Sequence, residues 1–208
     1  MRNEGEFVLE SKGKRVSAIV LAGGKGNRFH TEKQFVELEG KAMWKYPYEK
    51  ICRLIGEERV VVVGVDIPGG STRTESVING MEATQKDTER IIILEAARPL
   101  VTEEQLSILI HDEYPSVTFV RPLVNTVVFR DGRYLNRNEL YDMLTPQAFD
   151  YPMLLEALRS GRFCDMTDET RVMHEYHGIG PKFIETTENL MKVTYPEDIE
   201  IVRTLMHR

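Results

Sequence analysis
Residues 21–35, LAGGKGNRFHTEKQF, set Gly23, Gly24 and Gly26 beside Lys25, Arg28 and Lys33, directly behind an apolar run. Such a loop suits a polyphosphate. Glycine lets backbone N–H groups approach phosphate oxygens closely, and flanking cations neutralise them. Residues 11–33 hold six Lys or Arg against one Glu, although the chain as a whole carries a net charge of −6. Spacing alone is equally compatible with a glycine-rich turn whose charges are simply solvated. Two better-known phosphate loops are excluded. No Gly-Lys-Ser or Gly-Lys-Thr follows at Walker spacing, and Arg28 occupies the third glycine position of a dinucleotide fingerprint. The first acidic residue of the next strand, Asp66, also comes about 40 residues on, where that fingerprint needs about 20.

The elements that must position this loop follow from hydropathy. Residues 16–21 (VSAIVL), 59–64 (RVVVVG) and 90–94 (RIIIL) are short β-rich runs without alternation, the mark of strands buried on both faces of a parallel sheet. Helices are predicted over about 44–55, 74–83 and 103–112, the last with capping-box spacing at Thr102 and Gln105. The rhythm breaks after residue 117. VTFVR reads as a further strand, and residues 124–138 read as an antiparallel arm turning at Asp131-Gly132. A helix near 151–160 ending at Gly161, a short helix near 168–175, a strand around 182–186, the segment Met191–Thr194 and a last helix opened by Pro196 complete the chain.

Composition narrows the classes. With 41% hydrophobic, 29% charged and 8% aromatic residues over 208 positions, the chain matches one soluble domain. Residues 1–15 read as an N-terminal extension and 16–208 as a single domain. Cys52 and Cys164 are too few for a disulfide framework or a cysteine-rich zinc site. No h-region and no apolar stretch near 20 residues is present, so a cytoplasmic protein without membrane contact is expected. Net negative charge argues against nucleic-acid binding. His174 and His177 form an HxxH near Asp165, Asp168 and Glu169, which is read as a polar helix surface.

AGGKGNR…KQF resembles the nucleotide loop of the cytidylyltransferases that activate methylerythritol phosphate or ribitol phosphate. Further blocks follow in the family's order: GGSTRTESVINGM (69–81), EAARPLVT (95–102), NTV (125–127), NRNELYDMLTPQAF (136–149), and MTDE with MKVTYPEDI (166–169 and 191–199). Together they span nearly the whole chain from residue 16. The resemblance implies a three-layer α/β, Rossmann-like nucleotidyltransferase sheet of the GT-A type with a protruding antiparallel β-arm. It also implies CTP as co-substrate, Mg²⁺ as cofactor and a homodimer.

Residue roles come from the same resemblance. Ala22, Gly23, Gly24 and Gly26 would line the CTP site, Ser76 and Ala96 would help hold the nucleoside, and Arg28, Lys33 and Lys192 would surround the phosphates. Glu95 would be the metal-site carboxylate. Arg98, Thr126, Arg137 and Thr145 would face the alcohol phosphate, with Thr126 and Arg137 reaching a neighbouring subunit. The chain departs from the pattern at Glu95 and Asn125, where Asp is usual, at Ser71, and in the short Arg28–Lys33 interval with Glu32 in place of proline. A phosphonate or capsule-sugar phosphate as acceptor, and a non-catalytic nucleotide sensor on the same fold, are the alternatives.

Overall fold
The computed structural model describes residues 14–24, 29, 33–164 and 166–207, with Lys33 described by its backbone alone. Strand β1 (Val16–Leu21) leads into the glycine loop, and two-residue strands β2 (Glu37–Leu38) and β3 (Lys41–Ala42) form a small hairpin. Helix α1 (Lys45–Ile55), β4 (Val60–Val63), α2 (Arg73–Ala83), β5 (Arg90–Glu95) and α3 (Glu103–His111) continue the predicted alternation. Then follow β6 (Ser116–Pro122), β7 (Tyr141–Asp150), α4 (Tyr151–Arg159), α5 (Glu169–His177), β8 (Lys182–Glu185) and α6 (Asp198–Met206).

The main sheet has the order β4-β1-β5-β7-β6-β8, and β7 alone runs against its neighbours. Alternate side chains go to opposite faces, so a continuous apolar run fills two layers at once. Ala18, Val20, Ile92 and Leu94 pack with Ile51 of α1 and Leu106 and Leu109 of α3. Ile19, Ile91 and Ile93 pack on the other face with Val77 and Met81 of α2, Leu154 of α4 and Val172 of α5. This is the expected three-layer arrangement. A third cluster joins Phe29, Leu38 and Met43 to Val193, Ile199 and Val202, docking α6 beside the glycine loop.

Two expectations change. The sheet is not wholly parallel, because β7, unforeseen as a strand, enters between β5 and β6. Pro146 concealed it: proline cannot donate to a ladder and rarely occupies a central strand. Here the β5 ladder stops at Ile93↔Gln147, and the β6 register jumps from Thr118↔Gln147 to Phe119↔Leu144. Thr145 and Pro146 are thereby left out of both ladders. Thr118 Oγ1 fills the gap, donating to the Leu144 carbonyl at 3.0 Å and accepting from Gln147 Nε2 at 3.1 Å. Second, the arm is less regular than a ribbon, with one isolated bridge, Val128↔Tyr134, and a short 3₁₀ turn at Arg137–Glu139. The turn does fall at Asp131-Gly132, where Gly132 has φ +89°. The segment Met191–Thr194 forms no regular element. The helix at 103–111 does carry the capping box, with Thr102 and Gln105 bonded in both directions.

At the carboxyl ends of β1 and β4 the backbones nearly touch. Gly64 has φ +100°, and a Cβ there would lie 2.7 Å from Gly23 Cα and 2.8 Å from the Ala22 carbonyl carbon. Gly64→Ala adds left-handed strain to a backbone overlap, for an expected loss of about 2 kcal/mol, or roughly 4–8 °C in melting temperature. Gly132→Ala meets nothing within 4 Å despite a similar φ. It should cost only about 1 kcal/mol, so thermal melts of the two variants separate strain from crowding.

Candidate active site
The carboxyl ends of parallel strands in an open α/β sheet leave a crevice, the usual place for a ligand in such folds. Here a cavity of about 400 Å³ opens there, lined by Ala22, Gly23 and Gly24 after β1, by Glu95 and Ala96 at the end of β5, and by Arg73, Ser76 and Lys192. Thr72 caps α2 by accepting from Glu75 N at 3.1 Å. Ser76 Oγ donates to the Thr72 carbonyl at 3.0 Å and accepts from Gly70 N at 2.9 Å. Ser76 thus shapes the loop that covers the cavity.

Glu95 is the charged centre. Its side chain is 12% exposed, and Lys192 Nζ approaches Oε2 to 2.6 Å while Arg98 Nε is 3.9 Å away. Burial alone would raise the carboxyl pKa, but the charges of Lys192 and Arg98 outweigh it and hold the group below its ordinary value. Lys192 is carried over the cavity by its neighbour: Val193 is buried in the third cluster and donates its N–H to the Ala97 carbonyl at 2.8 Å.

A second cavity, of about 460 Å³, adjoins the first and shares Lys192 with it; Arg98, Arg121, Asp142, Leu144, Asn189 and Met191 complete its lining. Arg98 Nε donates to Thr145 Oγ1 at 2.7 Å, and its Nη1 donates to the Leu190 carbonyl. Thr145 is free for this because it stands outside both ladders. Arg121 pairs with Asp142 across β6 and β7, Nε to Oδ2 at 3.0 Å.

Ala22, Gly23, Gly24, Ser76, Glu95, Ala96 and Lys192 are therefore brought together around one cavity and Arg98 lines the second, while Thr145 is buried behind it as the hydrogen-bond partner of Arg98 and lines neither. Gly26 and Arg28 lie outside the described residues, as does the side chain of Lys33. Thr126 and Arg137 are not brought to either cavity of this chain; both are exposed on the arm, where Arg137 Nη1 donates to the Val124 carbonyl. Sequence reasoning passed over Gln34, Arg73, Arg121 and Asp142 as lining residues. Arg73 stood in a recognised motif without a role, whereas Arg121 and Asp142 carried no signal. His177 Nε2 bonds the Met153 carbonyl at 2.9 Å, and His174 is exposed.

A doubly covered α/β sheet with a glycine loop and a crevice holding Arg73 and Lys192 at its strand ends is the arrangement of a phosphate- or nucleotide-binding α/β protein. Comparisons with known proteins sharpen this. A sequence profile of 2-C-methyl-D-erythritol 4-phosphate cytidylyltransferase matches residues 42–208. The chain is 30% identical to the Aquifex aeolicus enzyme of that name over 91% of this chain and 97% of the relative. It is 27% identical to a Clostridium botulinum counterpart over 92% and 97%. In three dimensions it resembles the 4-diphosphocytidyl-2C-methyl-D-erythritol synthase of Anaerococcus prevotii, with a TM-score of 0.79 at 20% identity over 94% and 97% of the two chains. It also resembles bifunctional IspDF of Campylobacter jejuni, with a TM-score of 0.78 at 27% identity, covering 89% of this chain and 53% of that one. The chain belongs to the 2-C-methyl-D-erythritol 4-phosphate cytidylyltransferase family and is a nucleotidyltransferase of the cytidylyl-transferring kind.

The Arg98–Thr145 bond holds the arginine that lines the second cavity and is separately testable. Thr145→Val removes it while keeping shape, for an expected loss of about 1 kcal/mol and a several-fold rise in the acceptor's KM. Thr145→Ser, which keeps the hydroxyl, should stay near normal in both the melt and the steady-state assay.

Proposed function
We propose that the chain transfers CMP from CTP to 2-C-methyl-D-erythritol 4-phosphate, releasing pyrophosphate and a CDP-alcohol. The observation that carries this reading is Lys192, which belongs to both cavities at once and lies 2.6 Å from Glu95. A cation at that boundary is suited to the bond being made between two phosphate-bearing substrates. Ribitol 5-phosphate is the other acceptor to be compared. The working unit is residues 16–208, acting in the cytoplasm; no helix among the described residues is long and apolar enough to cross a membrane.

The acceptor's phosphate oxygen attacks the α-phosphorus of CTP in line, and pyrophosphate departs. That nucleophile is already ionised at neutral pH, so no strong general base is required. The obstacle is charge. Two anions approach, and the transition state spreads negative charge over non-bridging oxygens. Lys192, Lys33 and Arg28 supply the opposing charge, while Ala22, Gly23, Gly24 and Gly26 line the CTP site. Ser76 and Ala96 bound the nucleoside, and Arg98 and Thr145 hold the acceptor.

Glu95 fits a Mg²⁺ role. Magnesium commonly takes one or two carboxylates and completes its shell with substrate phosphates and water. A single buried carboxylate on the cavity wall matches that habit. When bound, the ion would neutralise phosphate charge and align the triphosphate.

The arm at about 124–138 exposes Val124 at 80% and Tyr134 at 79%, with Val128 and Phe129 half exposed. A lone two-stranded ribbon is marginal in water, and such apolar residues gain from burial against a second copy. A closed two-fold pair would bury both arms and carry Thr126 and Arg137 to the partner's acceptor site.

The expected outcome is pyrophosphate release that needs CTP, Mg²⁺ and the acceptor together, with CTP favoured over ATP, GTP and UTP. Lys33→Ala and Lys192→Ala should each lower kcat by about a hundredfold; Lys192→Ala should also lower the melting temperature, because it leaves the buried Glu95 carboxylate without its 2.6 Å partner. Binding of CTP without turnover on either polyol phosphate would refute the reading. For the dimer, mixing inactive Lys33→Ala and Arg137→Ala subunits should restore activity, because one site of each mixed dimer receives neither lesion. A monomer by sedimentation at assay concentration would overturn the shared site.

A further inference from the structure
The first residue of α5, Glu169, is 0% exposed, and the first residue of α2, Arg73, donates through Nη1 to its Oε1. The second carboxylate oxygen is buried and has no hydrogen-bond partner among the described residues. Burial pushes the Glu169 carboxyl up against the pull of Arg73. Removing two charges from water usually costs more than their attraction returns, and apolar side chains of matched volume would join α2 to α5 at least as firmly. Retaining the pair calls for a use beyond cohesion.

Arg73 supplies that use. A quarter of its side chain is exposed, and it stands on the wall of the nucleotide cavity with Glu95, Ser76 and Lys192. Its charge also contributes to holding Glu95 ionised. A guanidinium carries five N–H donors in a rigid planar fork, so one carboxylate can fix its orientation and leave donors for a second anion. A lone arginine on a cavity wall would need such an anchor, because its long side chain otherwise samples many rotamers.

The anchor is itself fixed. Asp168 accepts from Thr170 N at 2.8 Å, capping α5, and its other oxygen accepts from Gln147 Nε2 at 2.8 Å. Gln147 is the last β7 residue paired with β5. Thr74 Oγ1, beside Arg73, accepts from Met166 N at 3.0 Å, tying α2 to the segment before α5. Glu169 is thus referenced to the central sheet at the Ile93↔Gln147 rung, two residues before Glu95.

We infer that Glu169 is a positioning residue that aims Arg73 at the phosphate chain of bound CTP. The inference rests on the reading of the larger cavity as the CTP site. Both single variants and the double variant test it, through melting temperature and through the KM values of CTP and acceptor. Arg73→Met should raise the KM for CTP about tenfold or more while the acceptor's KM stays within twofold. Glu169→Gln should act in the same direction and also lower the melting temperature, since it removes the counter-charge from a largely buried guanidinium. The double variant Arg73→Met with Glu169→Gln should regain melting temperature without regaining the KM for CTP. A double variant, or a folded Glu169→Gln, with a normal KM for CTP would overturn the positioning role and leave the CTP site standing. Failure of the unaltered protein to bind CTP by calorimetry would overturn both.

Discussion

The ionised carboxylate of Glu95, enclosed at the end of the central strand β5, is the constraint around which the site is assembled. A carboxylate in that position is tolerable only with cations close by, and Lys192 and Arg98 arrive from two different stretches of chain to meet it. Each is held by backbone chemistry of its own. Val193 N–H on the Ala97 carbonyl fixes the first, and the Thr145 hydroxyl with the Leu190 carbonyl fixes the second. One buried negative charge therefore draws together the end of β5, the parting of β7 and the segment before α6, and so shapes both cavities.

The same arrangement gives a protein of net charge −6 a local concentration of positive charge. Besides the cations paired on the surface, Lys192, Arg98 and Arg73 are fixed near the strand ends, partly neutralised by Glu95 and Glu169. A preorganised charge of this kind needs little rearrangement during reaction, which is where electrostatic catalysis gains most. The fully buried Arg90 plays a contrasting part, donating to the Leu109 and Tyr114 carbonyls and closing the end of α3 far from solvent anions.

Legibility in the sequence followed the physics. Strands such as RIIIL and VVVV announced themselves because burial on both faces demands unbroken apolar residues, and α3 because its capping box is a local device. Motif order exposed Glu95, Ser76, Lys192 and the glycine loop. What stayed hidden depended on non-local pairing. β7 was masked by Pro146, whose presence makes sense only beside a ladder that has already ended. Arg121 and Asp142 meet only across two strands and leave no trace in spacing. Arg73 was visible as a residue, but its orientation is set by a carboxylate 96 positions away.

The slip between β6 and β7 has one further property. It leaves out two residues, Thr145 and Pro146, where a common bulge leaves out one. Because side chains alternate with a period of two, an even omission preserves phase: Leu144 before the gap and Ala148 after it both join the same core layer as Val117 and Phe119. An insertion or deletion of a single residue here would instead turn one half of β7 inside out. Drift in chain length at this seam is thus confined by packing to steps of two, so a polar side chain can be presented at the site while the hydrophobic layers on either side remain in register.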